Sequence, residues 1–134
     1  MKLGTLMTFK SSVCILTGII FLFFPGQWLW LLRVDLDLNG TFLARLFGAT
    51  FILIGLFLWM TRKVGDLTTR RAVTFSVFVG DMLGFVVTLI AQLSGIVNPF
   101  GWAMVMVYLL LALGFGYFQF AKPERAAIAP KSQA

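Results

Sequence analysis

Four apolar stretches, residues 5–24, 41–60, 72–94 and 101–121, fill most of a chain of 134 residues. A hydrocarbon core about 30 Å thick takes roughly 20 helical residues to cross, so each stretch has the length of a membrane span. Lipid offers backbone groups no water, and only helices or closed barrels satisfy them there. Barrel strands would alternate polar and apolar residues over about ten positions, and these runs do not. The expectation is an all-α, four-transmembrane-helix bundle with short connections and a single domain. Charged residues make up 12% of the chain, against about a quarter in soluble domains. No separate soluble domain fits, and residues 122–134, with Lys122-Pro123-Glu124 and Pro130, read as a short cytoplasmic tail.

The basic residues set an orientation. Lys2 and Lys10 stand at the N-terminus, Arg62, Lys63, Arg70 and Arg71 in the 61–71 connection, and Lys122, Arg125 and Lys131 in the tail. The 25–40 connection holds only Arg33, beside Asp35 and Asp37, and the 95–100 connection holds no charge. With four spans, the positive-inside rule then places both termini in the cytoplasm of a prokaryotic inner membrane. The first span ends in Phe23-Phe24-Pro25-Gly26-Gln27, without the small residues of a signal-peptide cleavage site, and is read as a retained helix. Trp28, Trp30, Phe100 and Trp102 suit one interface and Trp59 and Tyr117 the other, as belt anchors do.

Asp81 is the most informative single residue, because it falls near the middle of the third span. A carboxylate at that depth faces a bundle interior, finds a partner or stays protonated. Thr74, Asp81, Thr88 and Gly95 recur every seven residues, with Val77, Gly84 and Ala91 between them, so one face of this helix is small or polar and should point inward. Matching small surfaces are Ala44, Gly48 and Gly55 in the second span and Ser11, Cys14 and Gly18 in the first. The polar candidates are Arg45, Asp81, Thr88 and Gln92; the helix-packing candidates are Gly18, Ala44, Gly48, Gly55 and Gly84. Counting from opposite ends leaves Arg45 and Asp81 about 9 Å apart in depth. Their side chains can close that gap, so an intramembrane Arg45–Asp81 pair is expected, against the alternative of Arg45 reaching to the interface by itself.

Several chemistries are disfavoured. The chain has no histidine, which argues against haem, zinc and imidazole acid–base work. Cys14, the one cysteine, leaves no intrachain disulfide and reads as a packing residue. No phosphate-binding loop occurs, and the basic residues are too dispersed for nucleic acid. Asp35, Asp37, Asn39 and Gly40 imitate the start of a calcium loop, but its twelfth position would be Leu46. The better reading is Asn39 or Thr41 capping the second span, with Gly40 turning the chain. No metal, no intrinsic cofactor and no catalytic residue are expected. A shift of 66 residues aligns Thr8-Phe9 with Thr74-Phe75, Gly18 with Gly84, Leu43 with Leu109 and Gly48 with Gly114, a faint sign of two similar hairpins.

Residues 44–49 (Ala-Arg-Leu-Phe-Gly-Ala), 91–102 (Ala-Gln-Leu-Ser-Gly-Ile-Val-Asn-Pro-Phe-Gly-Trp) and 111–118 (Leu-Ala-Leu-Gly-Phe-Gly-Tyr-Phe) carry a resemblance. With the four-span layout, the chain resembles small four-helix bacterial membrane proteins of the broadly DoxX-like group. The resemblance implies the fold and an inner membrane, and brings no active residue. Three function classes follow: a structural or accessory subunit of a larger respiratory or photosynthetic complex; a small carrier of a cation, proton or hydrophobic compound using Asp81; and a lipid-handling protein. Expected partners are membrane lipids with a membrane-protein partner or further copies of the chain, and lipid or pigment contacts stay open.

Overall fold

The computed structural model describes residues 2–121, so the expected tail lies outside the described residues. It is an all-α bundle with the helix order α1 (Leu3–Phe23), α2 (Pro25–Leu31), α3 (Leu38–Thr61), α4 (Leu67–Leu93) and α5 (Gly101–Gly116). A π-helical turn, Tyr117–Ala121, prolongs α5. Four segments, Leu3–Phe23, Leu38–Thr61, Leu67–Leu93 and Gly101–Ala121, are long and apolar enough to cross a membrane. The chain is a small membrane protein built as a four-helix bundle.

Two departures from the sequence reading concern the 25–40 connection. Pro25 ends α1 but also starts α2, since a proline at the first helical position lacks only an amide that would be unpaired there. The cap of α3 is Asp37, not Asn39 or Thr41: its Oδ1 accepts from the Gly40 amide at 2.6 Å. Thr41 turns its hydroxyl back onto the Asp37 carbonyl at 2.9 Å. Asp66 caps α4 in the same manner, accepting from the Thr69 hydroxyl and from the Thr69 amide at 2.8 Å. Those two bonds, the hydroxyl's first, hold the Asp66 carboxyl below the usual carboxylate range.

The helices associate as two antiparallel pairs, α1 with α3 and α4 with α5, joined by lighter contacts. In the first pair Gly4 meets Arg62, Ser11 meets Gly55 and Gly18 meets Gly48, a seam that repeats every seven residues. A Cβ on Gly18 would lie 2.7 Å from the Gly48 carbonyl oxygen, and one on Gly48 would lie 2.7 Å from that of Gly18. Backbones this close gain the dispersion contact that drives helix association in lipid, where burial from water contributes nothing. Ser11 reinforces the seam by donating to the Gly55 carbonyl at 2.7 Å. In the second pair Gly84 receives the Tyr108 ring and Gly116 the Phe78 ring.

The core lies toward the end that carries the start of α1 and the end of α5. There Leu3, Leu6, Met7, Leu58, Val73, Leu111 and Phe115 form one buried cluster drawn from four helices. The opposite end is held by polar bonds: Asn98 donates its Nδ2 to the Leu31 carbonyl at 2.9 Å and accepts from the Phe100 amide at 3.1 Å. α2 and α4 both close with the same six-residue capping pattern. Val34 and Arg33 amides bond the Leu29 and Trp30 carbonyls, and the Ile96 and Gly95 amides bond those of Ala91 and Gln92. Gly95 takes the left-handed position freely, whereas Arg33 sits there at φ 57° at a cost of about 1 kcal/mol.

Two substitutions test the seam. Gly48→Ile should destabilise the bundle by about 2 kcal/mol through overpacking. Gly80→Ala, on α4 with nothing within 4 Å of the added methyl, should lose nothing. Denaturation midpoints in detergent, followed by circular dichroism, separate the two.

Candidate functional site

Asp81 is 1% exposed, at the centre of the bundle. Its partner is Lys10: the ammonium of α1 pairs with Oδ1 of Asp81 on α4. The expected Arg45–Asp81 pair is therefore corrected. Arg45 follows Ala44, and Ala44 and Gly48 face α1, so Arg45 is turned off the packed face of α3 and is exposed. Lys10, by contrast, shares the inward face of α1 with Met7, Ser11 and Cys14, all buried. It is 8% exposed and is not part of the charged N-terminal end.

Depth explains the match. Lys10 lies seven residues beyond Leu3 and Asp81 ten residues beyond Arg71, about 10 and 15 Å along their helices. A lysine side chain spans the difference. Phe115, fully buried on α5, covers the pair, with the Lys10 ammonium 5.7 Å from its ring centroid. That placement adds a cation–π attraction on a desolvated cation. Cys14 and Tyr108 stand within electrostatic reach of Asp81. The second oxygen, Oδ2 of Asp81, is buried and has no hydrogen-bond partner.

The other polar candidates stand apart from this pair. Thr88 turns its hydroxyl back to the Gly84 carbonyl at 2.8 Å, a local helix bond. Gln92 donates to the Asn98 carbonyl at 3.2 Å, near the end of α4. Arg45, Thr88 and Gln92 thus form no common cluster with Asp81. Of the packing candidates, Gly18, Ala44, Gly48 and Gly55 are buried where α1 and α3 meet, and Gly84 takes the Tyr108 ring. Among the described residues no group of three or more His, Cys, Asp or Glu side chains could hold a metal ion.

Two clefts open at the ends of the bundle. One, of about 670 Å³, is bordered by Lys2, Arg62, Lys63 and Arg70; the other, of about 460 Å³, by Trp30, Arg33, Asp35 and Asn98. Neither is lined by Lys10 or Asp81. The arrangement is thus a closed charge pair in the middle with an opening at each end.

A family described as a domain of unknown function, DUF8292, matches residues 2–121. The chain belongs to that family. No curated protein and no solved structure matches it. The match spans both helix pairs, the Lys10–Asp81 pair and both end clefts, so the DUF8292 domain includes all the features described above.

The pair predicts a specific mutational pattern. Lys10→Met leaves a carboxylate alone in the core and Asp81→Asn an ammonium, each at a cost of about 3 kcal/mol. The double variant should lose less than either single variant. Unfolding free energies from detergent titration check the sign of that coupling.

Proposed function

We propose that this chain is a structural or interaction protein of a prokaryotic inner membrane, an accessory subunit of a larger respiratory or photosynthetic complex, with both termini cytoplasmic. The observation that carries this reading is how the intramembrane charges are used. Lys10 and Asp81 neutralise each other at the centre and line neither cleft. What the bundle presents outward is apolar side chain. On α3 only Ala44, Gly48, Gly55 and Leu58 are buried, while Phe42, Phe47, Leu53 and Phe57 face out. Such a surface suits lipid tails and apolar partner helices equally.

The orientation rests on the basic residues, counted without Lys10. Lys2, Arg62, Lys63, Arg70 and Arg71 lie at one end of the bundle; toward the other are Arg33, accompanied by Asp35 and Asp37, and the exposed Arg45. The asymmetry survives and favours the first end as cytoplasmic.

A carrier is the second reading, and one observation favours it: the unpartnered Oδ2 of Asp81 leaves room for a proton at a buried carboxylate. Proton-coupled uptake into vesicles that is lost in Asp81→Asn would establish it.

Purification from native membranes in a mild detergent, with mass spectrometry of all co-migrating chains, tests the accessory role. The expected outcome is stoichiometric recovery with a larger complex. Recovery of the chain with lipid alone would overturn it.

A further inference from the structure

We propose that the cleft where α2 meets the α4–α5 loop binds the phosphoethanolamine head of a zwitterionic phospholipid. The inference is independent of the accessory role and of which membrane face this end occupies. The cleft, of about 460 Å³, is bordered by Trp30, Leu31, Arg33, Asp35 and Asn98, so it carries a cation and an anion at one opening. Along residues 33–37 exposure alternates. Arg33, Asp35 and Asp37 are exposed while Val34 and Leu36 are half-buried, which puts the charged side chains on one side of the chain. Asp37 is taken up in capping α3. Among the described residues the side chains of Arg33 and Asp35 make no ion pair or hydrogen bond, with each other or with a third group.

Backbone bonds, not the two charges, set the shape of this opening. The Arg33 amide donates to the Trp30 carbonyl at 2.9 Å and the Val34 amide to that of Leu29 at 3.0 Å. From the facing loop, Asn98 donates its Nδ2 to the Leu31 carbonyl at 2.9 Å and its amide to the Leu32 carbonyl at 3.3 Å. A ligand therefore meets a wall already ordered, which lowers the entropy lost on binding. Arg33 itself sits at φ 57°, a conformation that glycine would adopt without strain. Strain of this kind on a non-glycine residue is characteristic of ligand sites.

The chemistry of the two side chains selects the head. A guanidinium presents a planar fork of donors that matches phosphate oxygens, and a carboxylate accepts the N–H bonds of a primary ammonium. A quaternary ammonium has no N–H to offer Asp35, and a head with net negative charge sets its excess charge against the same carboxylate. The flank of the cleft favours a lipid over a free zwitterion. Trp30 is 72% exposed and Leu31 is exposed beside it. An exposed indole marks the headgroup level, and the neighbouring leucine continues the apolar surface toward acyl chains.

The experiment uses the full chain in neutral detergent, with lipid binding read by native mass spectrometry and folding by thermal shift. Phosphatidylethanolamine should bind about fivefold more tightly than phosphatidylcholine or phosphatidylglycerol of the same acyl chains, the effect of roughly one charge contact at a membrane surface. Asp35→Asn should erase the preference over phosphatidylcholine, since only the ammonium contact is lost. Arg33→Gly should weaken phosphatidylethanolamine and phosphatidylcholine alike, about fivefold, because both carry the phosphate. Glycine relieves the left-handed strain, so this variant should melt no lower than the unsubstituted chain, and its lost binding is then not lost folding. Lys63→Gln, at the opposite end, should leave the preference unchanged. Equal affinity for the three lipids, or a preference that survives both Asp35→Asn and Arg33→Gly, would overturn the site. Soluble phosphoethanolamine at millimolar concentration separates the sources: displacement of the lipid assigns the site to the free zwitterion as well, and its failure assigns it to the lipid head.

Discussion

Lys10 and Asp81 occupy a medium in which neither can be solvated, and the arrangement of the helices follows from that constraint. An isolated charge at the bilayer centre costs several kcal/mol, and pairing removes most of the cost only when both partners are held in register. α1 contributes the lysine and α4 the aspartate, so the pair joins the α1–α3 hairpin to the α4–α5 hairpin. Within each hairpin, small residues and rings bring the helices together without any charge. Between the hairpins contacts are lighter, and the ion pair and the buried cluster around Met7, Leu58 and Phe115 are what join them.

Packing and polarity are distributed unevenly along the membrane normal. The apolar cluster around Met7, Leu58 and Phe115 lies on one side of the ion pair. Beyond the pair, the α1–α3 seam continues through Gly18 and Gly48, and the end is closed by Asn98 and Gln92 reaching loop carbonyls. Loop carbonyls exposed near lipid need such donors, because an unsatisfied backbone group there is costly. Asn98 thus does for the far end what the buried cluster does for the near one.

Much of this architecture was legible in the sequence. Four spans follow from hydropathy and length, and the importance of Asp81 follows from its depth. Of the seven-residue recurrence, Thr74 and Asp81 are buried on α4 and Thr88 is half-buried, whereas Gly95 lies beyond the helix and is exposed. The partner of Asp81 was harder to read. Lys10 stands close to a basic N-terminus and reads as a topology charge, whereas Arg45 is isolated within a span and draws the eye. Only the rotational setting of α1 and α3 distinguishes them, and the Gly48 and Gly55 seam fixes that setting. The short helix α2 was hidden for another reason: Pro25 is a breaker for the helix before it and a starter for the one after it, and the residue type alone carries both meanings.

The basic residues at the near end therefore divide into two physical roles, and their positions explain why. Lys10 lies a few helical turns inside, beyond reach of water, and its charge is balanced within the chain by Asp81. Lys2, Arg62, Lys63 and Arg70 border an opening at the helix ends, where lipid headgroups and water begin. Interior balance in the first set keeps the bundle from attracting ions into its core.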